Sequence, residues 1–186
     1  FNDDFIVEPW VTVRAAVVTP EAGVWGLDSP RTYSEEPRGS FVWDAPLETE
    51  ADLDKLIAPH HVIDEDETER RVALITEAIG DILPIAVDRS PAYTIWNGDI
   101  STQLAYLRGL EQVMWDMMDR PEWLHTLLTH MRDGILRTHE EAEAAGDWTL
   151  VSHQNQAMPY AEELPDPAPD PDPVLRSKLW TFVASQ

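Results

Sequence analysis

The chain has 186 residues, 43% of them hydrophobic and 26% charged, and 13 basic residues face 35 acidic ones for a formal net charge of −22. A surface that negative repels phosphate backbones and argues against nucleic acid as a partner, and is read as solubility or adaptation to salt. Without any cysteine there is no disulfide, no thiolate catalysis and no sulfur-ligated zinc. No run reaches the roughly 18 apolar residues of a membrane span. The opening FNDDFIVEPW lacks a signal-peptide layout, so no membrane and a cytoplasmic location are the expectations. Residue 1 is Phe rather than Met, which points to a processed chain, a piece of a longer one or an incomplete gene.

In chain order, FIVEPWVTVRAAVV (5–18) is β-branched and aromatic and predicts one or two strands, interrupted by Pro9. Residues 19–48 mix Pro, Gly and Trp with short apolar runs and predict a hairpin or irregular excursion. A helix is expected in TEADLDKLIAP, where Thr49 and Asp52 have capping-box spacing and Pro59 follows the end. Another is expected in DETERRVALITEAIG, with Asp66 and Glu69 as its cap pair. Its apolar stripe is Val72, Ile75 and Ile79, and Gly80 is expected as a left-handed end. The nearly all-apolar DILPIAVD (81–88) reads as a strand covered on both faces.

Residues 100–119 have helical spacing through Leu104, Leu107, Val113, Met114 and Met117, with Gly109 bending or dividing the run. The clearest helix follows at DRPEWLHTLLTHMRDGILRTHEEAEAAG. Asp119 and Glu122 form its cap pair, Pro121 sits in its first turn, and Gly146 ends it. Its stripe is Leu124, Leu127, Leu128, Met131 and Ile135. DWTLVS (147–152) is a further short strand, LPDPAPDPDP (164–173) an extended Pro/Asp-rich linker, and PVLRSKLWTFVASQ a terminal helix. Strands separated by helices predict a parallel α/β sheet in one domain. A complete eight-fold barrel takes about 250 residues, so the expectation is an open sheet or a partial (β/α)8 barrel with fewer than eight strand–helix units.

Parallel α/β folds place ligands at the carboxyl ends of strands. That rule selects His153, Gln154, Asn155 and Gln156 after WTLVS, with Tyr160 beyond the Pro159 turn. It also selects Asp88 and Arg89 after DILPIAVD, followed by Tyr93, Trp96 and Asn97. Asp88 and His153 are the candidate catalytic groups, as acid, base or charge-neutralising partner. Arg89, Tyr93, Trp96, Asn97, Gln154, Asn155, Gln156 and Tyr160 are the candidate substrate-binding groups. The competing readings are loop groups that satisfy backbone or face water, and a local salt bridge around Asp88 and Arg89.

His139 and Glu143 have a metal-binding spacing but lie on a charged helix face. His125 and His130 do not share a face well, and His60 and His61 have nothing to complete a site. There is no calcium-hand loop, Walker loop, GxGxxG or nucleophile elbow. No metal and no cofactor are expected from the residues.

Three runs, FVWDAPLETEADLDKLIAP, AIGDILPIAVDRSPAYTIW and GLEQVMWDMMDRPEWLHTLLTHMRDGILRTHEEAEAAGDWTL, resemble the uroporphyrinogen decarboxylase superfamily, which includes corrinoid- and cobalamin-linked methyltransferases. The resemblance covers roughly residues 40–186 and rests on scaffold features: the Gly–Leu–Glu helix, the DRPEWL helix start and the AAGD turn. It implies a (β/α)8 barrel longer than this chain, which would then be an interior fragment. The Arg- and Gly-containing entry motif of the decarboxylases and the late His-and-Cys zinc motif of the methyltransferases are both absent.

Two functional readings follow. One is an enzyme fragment whose pocket is built from Asp88, Trp96, His153, Asn155 and Tyr160 and takes a small-molecule substrate. In it, Arg89 or His153 would neutralise charge developing on a pyrrole-type substrate as carbon dioxide leaves. The other is a non-catalytic α/β binding or self-assembly module, or the inactive product of a truncated gene. Open sheet edges would make either a homo-oligomer.

Overall fold

The computed structural model describes residues 9–21, 23, 25–36, 39–92, 99–149, 151 and 171–178. The chain divides into two compact units. One comprises Phe1–Val18, Val62–Pro91 and Ala142–Trp180, and the other Thr19–His61, Ala92–Glu141 and Thr181–Gln186. It is a mixed α/β structure with a small parallel sheet and no closed barrel among the described residues.

In the first unit, β1 (Val11–Arg14) pairs in parallel with β6 (Ile85–Asp88), in a register that runs from Val11 opposite Ile85 to Arg14 opposite Asp88. The Val11 amide donates to the Pro84 carbonyl and the Ala15 amide to the Asp88 carbonyl, each at 2.9 Å. The run 5–18 thus yields two strands in its described part, because β2 (Ala16–Val17) turns aside to pair antiparallel with β5 (Ile63–Asp64).

Helix α1 (Glu65–Ile79) leaves β5 directly. Its cap is Asp64, whose Oδ1 accepts the Glu67 amide at 3.0 Å, and not the expected Asp66. The last extended residue before the helix is the one whose side chain can reach back. Gly80 is right-handed (φ −67°), against expectation. Its amide still reaches the Thr76 carbonyl and the chain continues into one more turn, with Ile82 and Leu83 both donating to the Ile79 carbonyl. No left-handed reversal is needed there. Val72, Ile75 and Ile79 are only half-buried, and Thr68 is the one fully buried residue of the helix.

The segment 147–149 forms no strand; it is irregular. Beyond it, the buried Val151 carbonyl accepts the Thr12 hydroxyl at 2.7 Å and the Trp10 indole N–H at 3.1 Å. Side chains, not a backbone ladder, make these bonds to β1. Residues 176–178 form a single 3-10 turn within the expected terminal helix.

In the second unit, the expected excursion is a hairpin of β3 (Arg31–Tyr33) and β4 (Phe41–Trp43). Arg31 lies over the rings of Phe41 and Trp43 at 4.6 and 4.2 Å. The run after Thr49 is a 3-10 helix, Glu50–Lys55. Asp52 Oδ2 gathers the Thr49 amide at 2.6 Å and the Thr49 hydroxyl at 2.9 Å.

Gly109, at φ +80°, divides the next run into α2 (Ile100–Arg108) and α3 (Leu110–Asp119). Helix α4 follows as Pro121–Ala145, and Gly146 ends it at φ +78°, the left-handed end that a glycine tolerates. Leu104, Leu107, Leu124, Leu127, Met131 and Ile135 meet Trp25, Leu47 and Leu56 in the core of this unit. Met114 and Met117 were expected in the stripe but are 65% and 61% exposed. The break at Gly109 resets the helical phase: Val113 packs against the core as expected, but Asp116 takes the buried position in place of the methionines.

Candidate active site

Side chains alternate across a strand, and parallel register sets partners side by side. Val87 lines a cleft with Thr68, Val72 and Thr76 of α1, so its neighbour Asp88 points to the opposite face of the sheet. Arg14, its register partner, shares that face. Arg14 Nη1 donates to Asp88 Oδ2 at 2.9 Å, and Nη2 donates to the carbonyls of Pro91 at 2.7 Å and Ser90 at 3.2 Å. Asp88 Oδ1 accepts the Ser90 amide at 3.0 Å and its hydroxyl at 2.6 Å.

The two partners differ in accessibility: the Arg14 side chain is 45% exposed and that of Asp88 only 6%. Asp88 is therefore a buried anchor whose oxygens are occupied by three groups, and Arg14 presents the accessible charge. Such an arrangement fixes a half-exposed positive charge at the carboxyl end of two parallel strands, where it can attract a carboxylate or phosphate. The sequence reading found Asp88 but missed Arg14. The run VTVR carried the signal, a charged residue closing a β-branched strand, but it was absorbed into one long β-rich segment.

Arg89 is held on other elements. Its Nε donates to Asp147 Oδ1 at 2.6 Å, and Nη1 and Nη2 donate to the two oxygens of Glu65 at 2.9 and 2.6 Å. These bonds, Glu65 first and then Asp147, raise the Arg89 pKa above its ordinary value, and Arg89 in turn lowers that of Glu65. Arg89 thus clips the first residue of α1 to the segment that follows α4. Its two acidic partners lie 24 and 58 residues away in the chain.

The remaining candidates, Tyr93, Trp96, Asn97, His153, Gln154, Asn155, Gln156 and Tyr160, lie outside the described residues. Among the described residues no group of three His, Asp or Glu side chains is placed to hold a metal. Glu143 binds Arg176 at 3.1 Å, and His60 contacts Glu141 at 2.8 Å. No helix among the described residues is long and apolar enough to cross a membrane. Comparison with models of protein families, with curated proteins and with solved structures finds no match.

Proposed function

We propose that the chain belongs to a (β/α)8-type enzyme resembling the uroporphyrinogen decarboxylase superfamily, a decarboxylase or a corrinoid-linked methyltransferase, working at the carboxyl ends of its parallel strands. One observation carries this reading: Arg14 and Asp88 close two adjacent parallel strands on the face opposite α1, joined at 2.9 Å. Catalytic groups of such folds sit at that end of the strands. In this reading Arg14 takes the role first given to Arg89. It holds a carboxylate of a polycarboxylate substrate, and Asp88, with Ser90, fixes its orientation. His153 is the proposed proton donor to the carbon that loses carbon dioxide.

The test measures carbon dioxide release from uroporphyrinogen and methyl transfer from methylcobalamin to a thiol, for the wild type and for Arg14→Met and Arg14→Lys. One activity is expected, lost in Arg14→Met and partly kept in Arg14→Lys, with unchanged circular dichroism. Equal turnover in all three proteins would remove Arg14 from the site. Absence of both activities in the wild type would favour a non-catalytic α/β binding module. That second reading rests on the outer edge of β6, which has no strand partner among the described residues.

A further inference from the structure

At the reversal between α2 and α3 the second unit has a pocket of about 630 Å³, within the size range of small-molecule sites. Its walls include Val42 and Trp43 of β4, Tyr106 of α2, and Leu110, Glu111 and Trp115 of α3. All of them belong to the second unit, whereas the parallel β1–β6 sheet that a barrel would extend belongs to the first. Adding strands to that sheet uses none of these residues.

Three of the walls are aromatic. The ring centroids of Trp43 and Tyr106 are 4.6 Å apart with planes inclined at 47°, a wedge and not a parallel stack. Trp115 supplies a third ring from α3, four residues beyond Glu111, so ring and carboxylate share one face of that helix. Aromatic faces attract cations through the ring quadrupole. The same ring system already holds one, since Arg31 lies over Trp43 at 4.2 Å without being part of the pocket wall.

Glu111 is the one charged side chain of the wall. It is exposed and makes no ion pair among the described residues. It stands in the first turn of α3, where its full negative charge outweighs the roughly half-unit positive end of the helix. The net charge of −22 adds a long-range attraction for positive ligands. Val42 and Leu110 make the rest of the wall apolar, which suits methyl groups better than a strongly hydrated primary ammonium. A neutral sugar could stack on the same rings, but it would leave the Glu111 charge without a counter-ion.

We propose that this pocket is a binding site for a small methylated ammonium compound, with its cationic head against the Trp43, Tyr106 and Trp115 rings and Glu111 as its counter-charge. None of these residues takes part in the Arg14 site, so failure of the enzymatic reading leaves the proposal standing.

The test is isothermal titration calorimetry of the full chain with choline and with its neutral carbon isostere, in which a tert-butyl group replaces the trimethylammonium. Choline is expected to bind at millimolar concentration or below, and the isostere roughly tenfold more weakly. Trp115→Leu and Glu111→Gln, both at exposed positions and expected to leave the circular dichroism unchanged, should weaken choline binding by roughly fivefold and threefold. Glu69→Gln, on α1 of the other unit, removes the same charge elsewhere and should have no effect. Absence of choline binding, equal affinity for choline and the isostere, or full binding by the Trp115→Leu chain overturns the proposal. So does an equal loss in Glu69→Gln and Glu111→Gln, because the attraction would then belong to the acidic surface as a whole. Tighter binding of cellobiose than of choline would make the pocket a sugar platform, and overturns it as well.

Discussion

Arg108 and Asp116 form a fully buried ion pair, Nε to Oδ2 at 2.6 Å, with both side chains 0% exposed. Arg108 closes α2 and Asp116 lies in α3, so the pair joins the two helices across the reversal at Gly109. Asp116 also accepts from Gln112 at 3.0 Å and pairs with Arg120 at 2.9 Å. Arg108 donates to the Leu47 carbonyl and lies over the Trp123 ring at 4.8 Å. Every polar group that was taken out of water here has a partner, which is the condition for burying charge without a large penalty.

Removing one member should therefore be expensive. Asp116→Ala is expected to lower stability by about 3–5 kcal/mol, because it leaves the Arg108 charge buried and uncompensated. Urea denaturation would show it as a drop in midpoint at constant slope. The double variant Arg108→Met with Asp116→Leu should lose clearly less. If the single and double variants were equally destabilised, packing and not charge would be the dominant factor.

Two glycines should fail as alanine for different reasons. Gly109→Ala is expected to cost about 1–3 kcal/mol from its backbone conformation alone (φ +80°, ψ +136°), because the added Cβ would meet only Ala45 Cβ at 3.6 Å. Gly134 lies inside α4, where alanine normally gains about 1 kcal/mol. Its Cβ would sit 2.8 Å from Pro59 Cδ and 3.1 Å from the Trp25 ring, so the steric effect wins and the variant is destabilised. A more stable Gly134→Ala protein would contradict this packing.

The long helix was legible because its apolar positions recur at three and four residues between a proline start and a glycine end, and α4 follows that pattern. The break at Gly109 was legible as a possibility, since glycine alone tolerates its φ. What it did to α3 was not. Sequence spacing places Met114 and Met117 on a stripe, but a buried Asp116 dictates the phase, and no pattern rule expects an aspartate to be an inward residue. Asp88 was legible from a general rule about strand ends. Arg14 required the register between strands more than seventy residues apart, which periodicity within one segment does not contain.

Acid should destabilise the fold through specific carboxylates. Glu67 is pulled down to about 2 by Arg70 and then Arg71, Asp116 is lowered by Arg108, and Glu143 by the Arg176 amide. Each has a folded pKa below its unfolded value of about 4. Their contribution is therefore fully present above pH about 4 and lost as pH falls toward 2. In 0.5 M salt, the urea midpoint should decline across that interval, and less steeply in Asp116→Asn. A midpoint that rose on acidification would reverse the sign of the argument.

Salt near neutral pH should stabilise. With 35 acidic and 13 basic residues, screening relieves more repulsion than it weakens surface pairs, which contribute about 0–1 kcal/mol each. Raising sodium chloride from 0.05 to 0.5 M is expected to increase Tm, by about 2–4 °C for each kcal/mol of repulsion removed. A falling Tm would mean that the surface ion pairs outweigh the net charge.

Thr68 is the single buried residue of α1, and its hydroxyl has two bonds: it donates to the Asp64 carbonyl at 2.6 Å and accepts the Ala16 amide at 3.0 Å. The Ala16 amide is thus protected from deuterium exchange by a side chain belonging to a helix. Its exchange rate is a local gauge of whether α1 is seated. Thr68→Val keeps the shape and removes the acceptor, so that one amide should exchange faster while the β1–β6 amides keep their protection.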